Sequence, residues 1–201
     1  MAGPSEDGPA IDALPCPGVV RVARTKCVAL LRGINVGGRN RLAMADLREL
    51  LVGLGHTDVA TVLQSGNVVF RPGGGRTAAI SVAIEDGLKS GLGLSVRVIV
   101  RSAEEIEAAL AADPFLVVAT DPSRHFIGFL ADDPSSTGVG ALRAVPLDVD
   151  RVDVVGRHAY LWCPDGLSKS PLFKFAWDRQ LGTAVTMRNL ATVTKVQALL
   201  G

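Results

Sequence analysis

Hydrophobic residues recur at two different spacings along the first half of the chain, and together they predict strands alternating with helices. The apolar run at 26–32 is typical of a strand and leads into a glycine-rich loop. Beyond the loop, apolar residues recur at helical spacing, at Met44, Leu47, Leu51 and Leu54. Residues 59–72 carry β-branched side chains on both sides of a Ser-Gly break, which is typical of a hairpin or a strongly bent strand.

A second helix and a further strand complete this half. Residues 77–93 place their apolar side chains on one helical face, with Thr77 available as the N-cap. The strand at 95–101 alternates two sets of side chains, Val96, Val98 and Val100 against Arg97, Ile99 and Arg101. We expect one face of this strand to be buried and the other to meet solvent or a partner. The order β-α-β-β-α-β is that of a ferredoxin-like fold.

The second half repeats this order of elements without a visible repeat of residues. Ser102 and Glu105 match a capping box that opens a helix, which Asp113-Pro114 ends. Further patterns predict a strand at 125–131, a short helix at 140–145, two strands turning near 156, a helix at 171–181, a strand at 183–186 and a last helix capped at 189.

We therefore predict an α+β protein of two ferredoxin-like (βαββαβ) subdomains packed together. The predicted division is a disordered leader at 1–24, an N-terminal subdomain at 25–102 and a C-terminal α+β subdomain at 103–201. The leader begins with acidic, proline and glycine residues and lacks the pattern of a secretory signal.

Composition and charge narrow the class of protein. The three cysteines are far apart in the sequence, which favours a protein of the reducing cytoplasm over one with a disulfide framework. No apolar run approaches the ~20 residues that span a bilayer. We expect a soluble cytoplasmic protein without a membrane partner. The net charge of +1 gives no global reason to expect nucleic acid. Basic residues are nevertheless segregated, because residues 21–41 contain six lysines and arginines and no acidic residue.

The loop at 33–40, "GINVGGRN", matches the start of a P-loop but has Arg39 and Asn40 where lysine and a hydroxyl residue are needed. This departure excludes a Walker-type NTPase. A more general anion site remains, because glycines let backbone amides turn toward an oxyanion and arginines can bind it. Its candidate residues are Gly33, Gly37, Gly38, Arg32, Arg39 and Arg41. The structural alternative is that the glycines only permit positive φ angles and the arginines are solvated.

Four motifs, "VALLRGINVGGRN", "MADLRELL", "LQSGNVVF" and "TMRNLATVTK", together resemble the bacterial family known as domain of unknown function 1697. The resemblance runs from about Lys26 to the C-terminus and implies a small cytoplasmic α+β protein without an assigned activity. Two departures occur: Leu190-Ala191 stand where members commonly have tryptophan and asparagine, and Ala43 where they often have proline.

The family's polar signature residues are expected at the ends of elements, where binding residues concentrate. They correspond here to Arg32, Asn35, Gln64, Ser65, Asn67, Lys169, Arg188, Asn189, Thr192 and Lys195. Asn189 and Thr192 are also explained by helix capping, and residues 64–67 by a turn that satisfies its own backbone.

Other chemistry is absent from the pattern. The three histidines have no Cys, Asp or Glu at ligand spacing, and no dinucleotide fingerprint occurs, so we expect neither a metal nor a cofactor.

Three functions fit the sequence, which does not indicate the oligomeric state. The first is a binding protein for a phosphate-bearing small molecule or nucleotide, held between the glycine-rich loop and Arg188/Lys195. The second is a phosphate-ester or acyl-phosphate hydrolase, by analogy of fold with acylphosphatases, in which Arg32 holds the phosphate and an asparagine orients water. The third is a nucleic-acid-binding or scaffold protein without catalysis, and the scaffold reading expects a buried, paired Arg32 or Arg188.

Overall fold

The fold is built from eight strands and six helices within the described residues. The structure is a computed structural model that describes residues 25–37 and 40–201. The predicted leader at 1–24 and the loop residues Gly38 and Arg39 lie outside the described residues.

Each half of the chain contributes four strands. The first half contains β1 (Cys27–Leu31), α1 (Met44–Gly53), β2 (Thr57–Val62), β3 (Asn67–Arg71), α2 (Thr77–Leu92) and β4 (Val98–Ser102). The second half contains α3 (Ala103–Ala111), β5 (His125–Leu130), α4 (Ser136–Arg143), β6 (Arg151–Val155), β7 (His158–Trp162), α5 (Trp177–Leu181), β8 (Val185–Asn189) and α6 (Leu190–Leu200).

The two sheets have the same antiparallel topology. Their strand orders are β2-β3-β1-β4 and β6-β7-β5-β8, which are equivalent when the second half is renumbered from its own first strand. This is the order of the ferredoxin-like fold, so the predicted α+β class with two such subdomains is confirmed. We call the β1–β4 sheet with α1 and α2 the first subdomain, and the β5–β8 sheet with α4 and α5 the second.

The central strands are buried on both faces because each sheet lies between two layers of helices. In β1, Ala29 and Leu31 pack toward α1 and α2, whereas Val28 and Leu30 pack toward the other sheet. Helices α3 and α6 fill the space between the sheets, and Val193 of α6 belongs to this shared core. The division into 25–102 and 103–201 as separate units stays a prediction, since α3 and α6 share one core.

Strand β4 resolves the alternative that its alternating pattern left open. Ile99 and Arg101 are only 4% and 2% exposed, so the face opposite the first core is buried along β4, whereas Arg97, just before the strand, is exposed. The partner of that face is the second subdomain, because Ile99 lies in the core shared by both sheets.

Several predicted element boundaries were wrong. Arg76, not Thr77, occupies the N-cap of α2, and it makes no side-chain capping bond. Helix α4 begins at Ser136, well before the predicted 140, because the Ser135 hydroxyl accepts a hydrogen bond from the amide of Gly138 at 3.1 Å.

The predicted helix at 171–181 is divided into two short pieces. A 3-10 turn at Pro171–Lys174 follows another at Leu167–Lys169, Phe175 is extended, and only then does α5 begin. The Leu172 carbonyl accepts from the Phe175 amide at 3.3 Å, as in a 3-10 turn, and from the indole of Trp177 at 3.0 Å.

Candidate functional site

The predicted anion-binding loop comprises residues 33–41, which we call the Gly loop. In its described part, two asparagine side chains hold the backbone: Asn40 donates to the Gly33 carbonyl at 3.2 Å, and Asn35 makes three hydrogen bonds. The Asn35 amide nitrogen donates to the carbonyls of Leu42 and Gln64, both at 2.9 Å. Its oxygen accepts from the Leu42 amide, also at 2.9 Å. Asn35 thereby ties both ends of the loop to each other and to the turn that joins β2 and β3.

The backbone of the Gly loop is left-handed at several positions. Gly33, Asn35, Gly37 and Asn40 all have φ between 46° and 62°. Asparagine tolerates this region better than most residues with a Cβ, which explains asparagine at two of the four positions. The loop also closes on itself, because the amide of Asn35 donates to the carbonyl of Asn40 at 3.2 Å.

The Gly loop leads into an N-terminus of α1 that has no side-chain cap. Ala43 occupies the N-cap and makes no side-chain hydrogen bond, so the first amides of α1 lack the partner that serine or aspartate would supply. Arg41 is exposed at this point. Asn35, Arg41, Leu42 and Ala43 line a shallow, open depression in front of the helix.

The Arg188 guanidinium crosses from the second sheet to the first. From β8 it donates to the Leu31 carbonyl at 2.6 Å, to the carbonyls of Ser65 and Gly66 at 3.2 and 3.3 Å, and to the side-chain oxygen of Asn67. We call this set of contacts the Arg188 junction.

The remaining donors of Arg188 are taken up within its own strand. Nη1 donates to the Thr186 hydroxyl at 2.9 Å and to the Met187 carbonyl at 2.8 Å. A guanidinium has five N–H donors, and acceptors of the protein thus occupy all three of its nitrogens. Burial lowers the pKa of Arg188 to about 10, which still leaves it charged at neutral pH. Its hydrogen-bond partners are neutral oxygens of carbonyls, of one side-chain amide and of one hydroxyl, not carboxylates.

Asn67 completes the junction from the first subdomain. Its side chain is fully buried, and its amide nitrogen donates to the Val62 carbonyl and to the Ser65 hydroxyl, both at 3.0 Å. Three carbonyls of the turn between β2 and β3 therefore accept hydrogen bonds from side chains. Asn35 donates to the carbonyl of Gln64, and Arg188 donates to those of Ser65 and Gly66.

Arg32 also reaches the second subdomain, but at the surface. Its guanidinium pairs with the Asp178 carboxylate of α5, and the two side chains are 44% and 39% exposed. Exposed ion pairs of this kind typically contribute ~0–1 kcal/mol to stability. Arg32 can therefore exchange its partner at low cost, whereas Arg188 cannot.

The structure thus brings part of the predicted site together. The Gly loop, residues 64–67 and Arg188 converge on one junction of the two subdomains. Asn189 instead caps α6 by accepting from the amide and hydroxyl of Thr192, at 3.0 and 2.6 Å. Lys169 and Lys195 are exposed, and neither forms a hydrogen bond or ion pair with residues 33–37, 40 or 41 of the Gly loop. Ligand binding by any of these residues stays a prediction.

A group of polar side chains that the sequence did not indicate lies between the sheets. Arg101 and His158 face the same interior, close to Arg157 in the turn between β6 and β7. Burial, followed by the charges of Arg101 and Arg157, lowers the pKa of His158 to about 4. The alternating pattern of β4 could have indicated Arg101, because this charged residue stands on the strand face opposite Val98 and Val100.

The other two histidines are packed in the interior. His125 is fully buried beside Asp113, with the ring Nε2 and the carboxylate oxygen 3.0 Å apart. His56 packs on Phe70 and accepts from the Gly73 amide through Nδ1 at 3.1 Å. Among residues 25–37 and 40–201, no cluster of three His, Cys, Asp or Glu side chains could hold a metal ion. No helix in this part of the chain is long and apolar enough to cross a membrane.

Comparison with known proteins supports the fold and supplies no activity. Residues 24–160 match the model of a family described as "Protein of unknown function (DUF1697)". No curated protein matches the chain. A solved structure of a conserved bacterial protein, SP0830 from Streptococcus pneumoniae, is similar with a TM-score of 0.72 and 24% identity, covering 88% of this chain and 99% of that one.

Replacing Arg188 by lysine is expected to destabilise the protein by about 3 kcal/mol. Lysine keeps the charge but cannot reach both the Leu31 carbonyl and the side-chain oxygen of Asn67, and these buried acceptors lose a donor. Urea unfolding measures the change. Arg179→Lys, at an exposed position of α5, is the matched control and should stay within about 0.5 kcal/mol of the native protein. Equal stability of the two variants would show that the junction is not structural.

His158 should make the protein less stable in mild acid. The pKa is about 4 in the folded protein against the ordinary 6.5, so the unfolded chain binds more protons between these values. Stability is then complete above pH 6.5 and decreases as the pH falls toward 4. Between pH 7.5 and 5.0 the loss from this residue should be about 1–2 kcal/mol. His158→Gln should remove that part of the pH dependence in urea titrations; an unchanged pH dependence would contradict the assignment.

Proposed function

The chain belongs to the DUF1697 family of proteins of unknown function, and we propose that it is a binding protein for a phosphate-bearing small molecule or nucleotide. The proposed site is the depression between the Gly loop and the N-terminus of α1. The observation that carries this proposal is the set of three hydrogen bonds by which Asn35 holds a left-handed loop across the uncapped end of a helix.

The chemistry of this surface suits an anion. The helix N-terminus presents amides without side-chain partners and a partial positive charge. Arg41 adds a full positive charge at the surface, and Arg39 precedes it in the sequence. Asp46 in the first turn of α1 opposes this charge in part. Because Asn35 fixes the loop before a ligand arrives, binding would cost little ordering of the backbone.

The hydrogen bonds that Asn35 and Asn67 make within the protein favour binding over hydrolysis. A hydrolase of the acylphosphatase type needs an asparagine that can orient water, yet the side chains of Asn35 and Asn67 are both fully used in hydrogen bonds within the protein. None of the three histidines forms part of the Gly loop or of its depression. No histidine is therefore placed at the depression to act as a general base for attack on phosphorus.

Nucleic acid is a weaker proposal for the partner. RNA readers with this topology use the open face of the sheet, with aromatic residues for base stacking. Here β1 is buried along its whole length, because helices cover both faces of the first sheet. Contact with phosphates through the Gly loop is compatible with this packing.

A scaffold role is favoured for one part of the predicted site. The Arg188 junction has every feature of a structural contact, since its donors are saturated by acceptors from both subdomains. This role is compatible with a ligand at the Gly loop, because the junction also fixes the turn that carries the Gln64 carbonyl. We further propose a cytoplasmic location, in keeping with unpaired, buried Cys27 and Cys163.

A thermal-shift panel of inorganic phosphate, a nucleoside monophosphate and a nucleoside triphosphate tests the proposed function. At a concentration a hundredfold above Kd, ligand binding should raise Tm by about 5–10 °C in a protein of this length. Arg41→Gln should weaken binding at least tenfold, as expected for the loss of a charge-assisted hydrogen bond of ~1.5–3 kcal/mol.

The matched control is Arg48→Gln, which removes an exposed arginine further along α1 whose guanidinium donates to the Thr61 hydroxyl at 3.0 Å. This variant should bind as the native protein does. If no member of the panel raises Tm in the native protein, or if the two variants bind equally well, the proposed site is wrong.

A further inference from the structure

A cavity of about 180 Å³ lies between the two subdomains, along the outer edge of β4. Helix α2 and β4 form one wall, and the segment after β5 and the turn at Arg157 form the other. The cavity does not share a residue with the depression at the Gly loop. Its volume is several times the ~30 Å³ that one water molecule occupies in the liquid.

Arg101 is the buried charge of this cavity. The residue is 2% exposed, Nη1 donates to the Val100 carbonyl at 3.1 Å, and Nη2 donates to the Leu130 carbonyl of the second subdomain. The Nε–H is buried and has no hydrogen-bond partner among the described residues. A buried guanidinium N–H without an acceptor is costly, since desolvation is not compensated.

A second guanidinium lies close to the first. Arg157 lines the same cavity, donates to Glu105 at 2.8 Å and keeps 39% of its side chain exposed. Burial, and then the charge of Arg157, lowers the pKa of Arg101 to about 10. The two positive charges therefore repel each other across the cavity, and neither Glu105 nor Asp132 forms a hydrogen bond with Arg101.

The edge of β4 is closed to a peptide strand. The outward amides of Val98 and Val100 donate to Glu85 Oε1 at 2.8 Å and to the Ser81 hydroxyl at 3.1 Å. An added strand would need these amides for its own pairing. The occupant that fits is thus a small molecule and not an extended segment of a protein.

We propose that this inter-subdomain cavity binds a small molecule through an oxyanion, either a carboxylate or a phosphate, that accepts hydrogen bonds from Arg101 Nε and from Arg157. The anion supplies the acceptor that Arg101 lacks and gives Arg157 a second partner beside Glu105. Glu85 and Asp132 also line the cavity and oppose the anion in part. Ala78, Val82 and Ala131 line the cavity as well and contact the apolar part of the ligand. Because residues of both subdomains bind it, the ligand holds their relative position.

The test uses the full chain carrying Arg41→Gln, so that binding at the Gly loop is already weakened at least tenfold and the two sites are distinguished. Isothermal titration with acetate, butyrate, inorganic phosphate and phenyl phosphate, at constant ionic strength, measures affinity for each anion class. We expect one class to bind with a stoichiometry of one. Adding Arg157→Gln should then weaken that binding at least tenfold.

The control is Arg143→Gln, which removes another arginine with a carboxylate partner, Asp153, on the surface of the second subdomain. It should leave the affinity unchanged.

A second readout needs no variant at Arg157: the binding anion should slow modification of Arg157 by phenylglyoxal at least fivefold, and leave that of Arg143 unaltered. Absence of binding by all four anions, equal affinity with and without Arg157→Gln, or equal protection of both arginines would each overturn the proposal.

Discussion

The arrangement of the two sheets depends on the hydrogen bonds that one guanidinium, that of Arg188, makes with backbone carbonyls. Arg188 stands on β8 at the edge of the second sheet, and its side chain donates to backbone carbonyls at the end of β1 and in the β2–β3 turn. The Leu31 carbonyl lies at the end of a buried strand and that of Ser65 lies in the turn, whereas the Gly66 carbonyl also accepts from the Leu31 amide at 2.8 Å. Because an unpaired buried acceptor costs about 1–3 kcal/mol, the position of the second sheet relative to the first is strongly specified.

The same contact determines where ligands can reach the protein. The β2–β3 turn, held by Arg188 on one side, is bound by Asn35 on the other, so the shape of the Gly loop depends indirectly on the second subdomain. At β4, the packing of the two subdomains instead encloses Arg101 and Arg157. The depression at the Gly loop and the inter-subdomain cavity thus both follow from one arrangement of two sheets around α3 and α6.

Local patterns in the sequence were sufficient for the fold and insufficient for the roles of single residues. The capping box at Ser102 and the hairpin around Gly66 were predicted correctly because their partners lie a few residues away. Arg188 was predicted as a ligand-binding residue and, in the scaffold alternative, as a buried and paired one. Its partner could not be predicted, because Asn67 is 121 positions distant and nothing local indicates it. Arg157 was missed altogether, because a turn arginine becomes part of a cavity only when another subdomain covers it.

The claim that the junction and the shared core make the two sheets one cooperative unit can be tested by urea unfolding of the native protein with two probes. Both tryptophans, Trp162 of β7 and Trp177 of α5, lie in the second subdomain, so fluorescence reports that half alone. Far-UV circular dichroism reports both halves. We predict coincident transitions with one midpoint. A fluorescence transition completed at lower urea than the loss of ellipticity would show that the second sheet unfolds by itself, and would contradict this account.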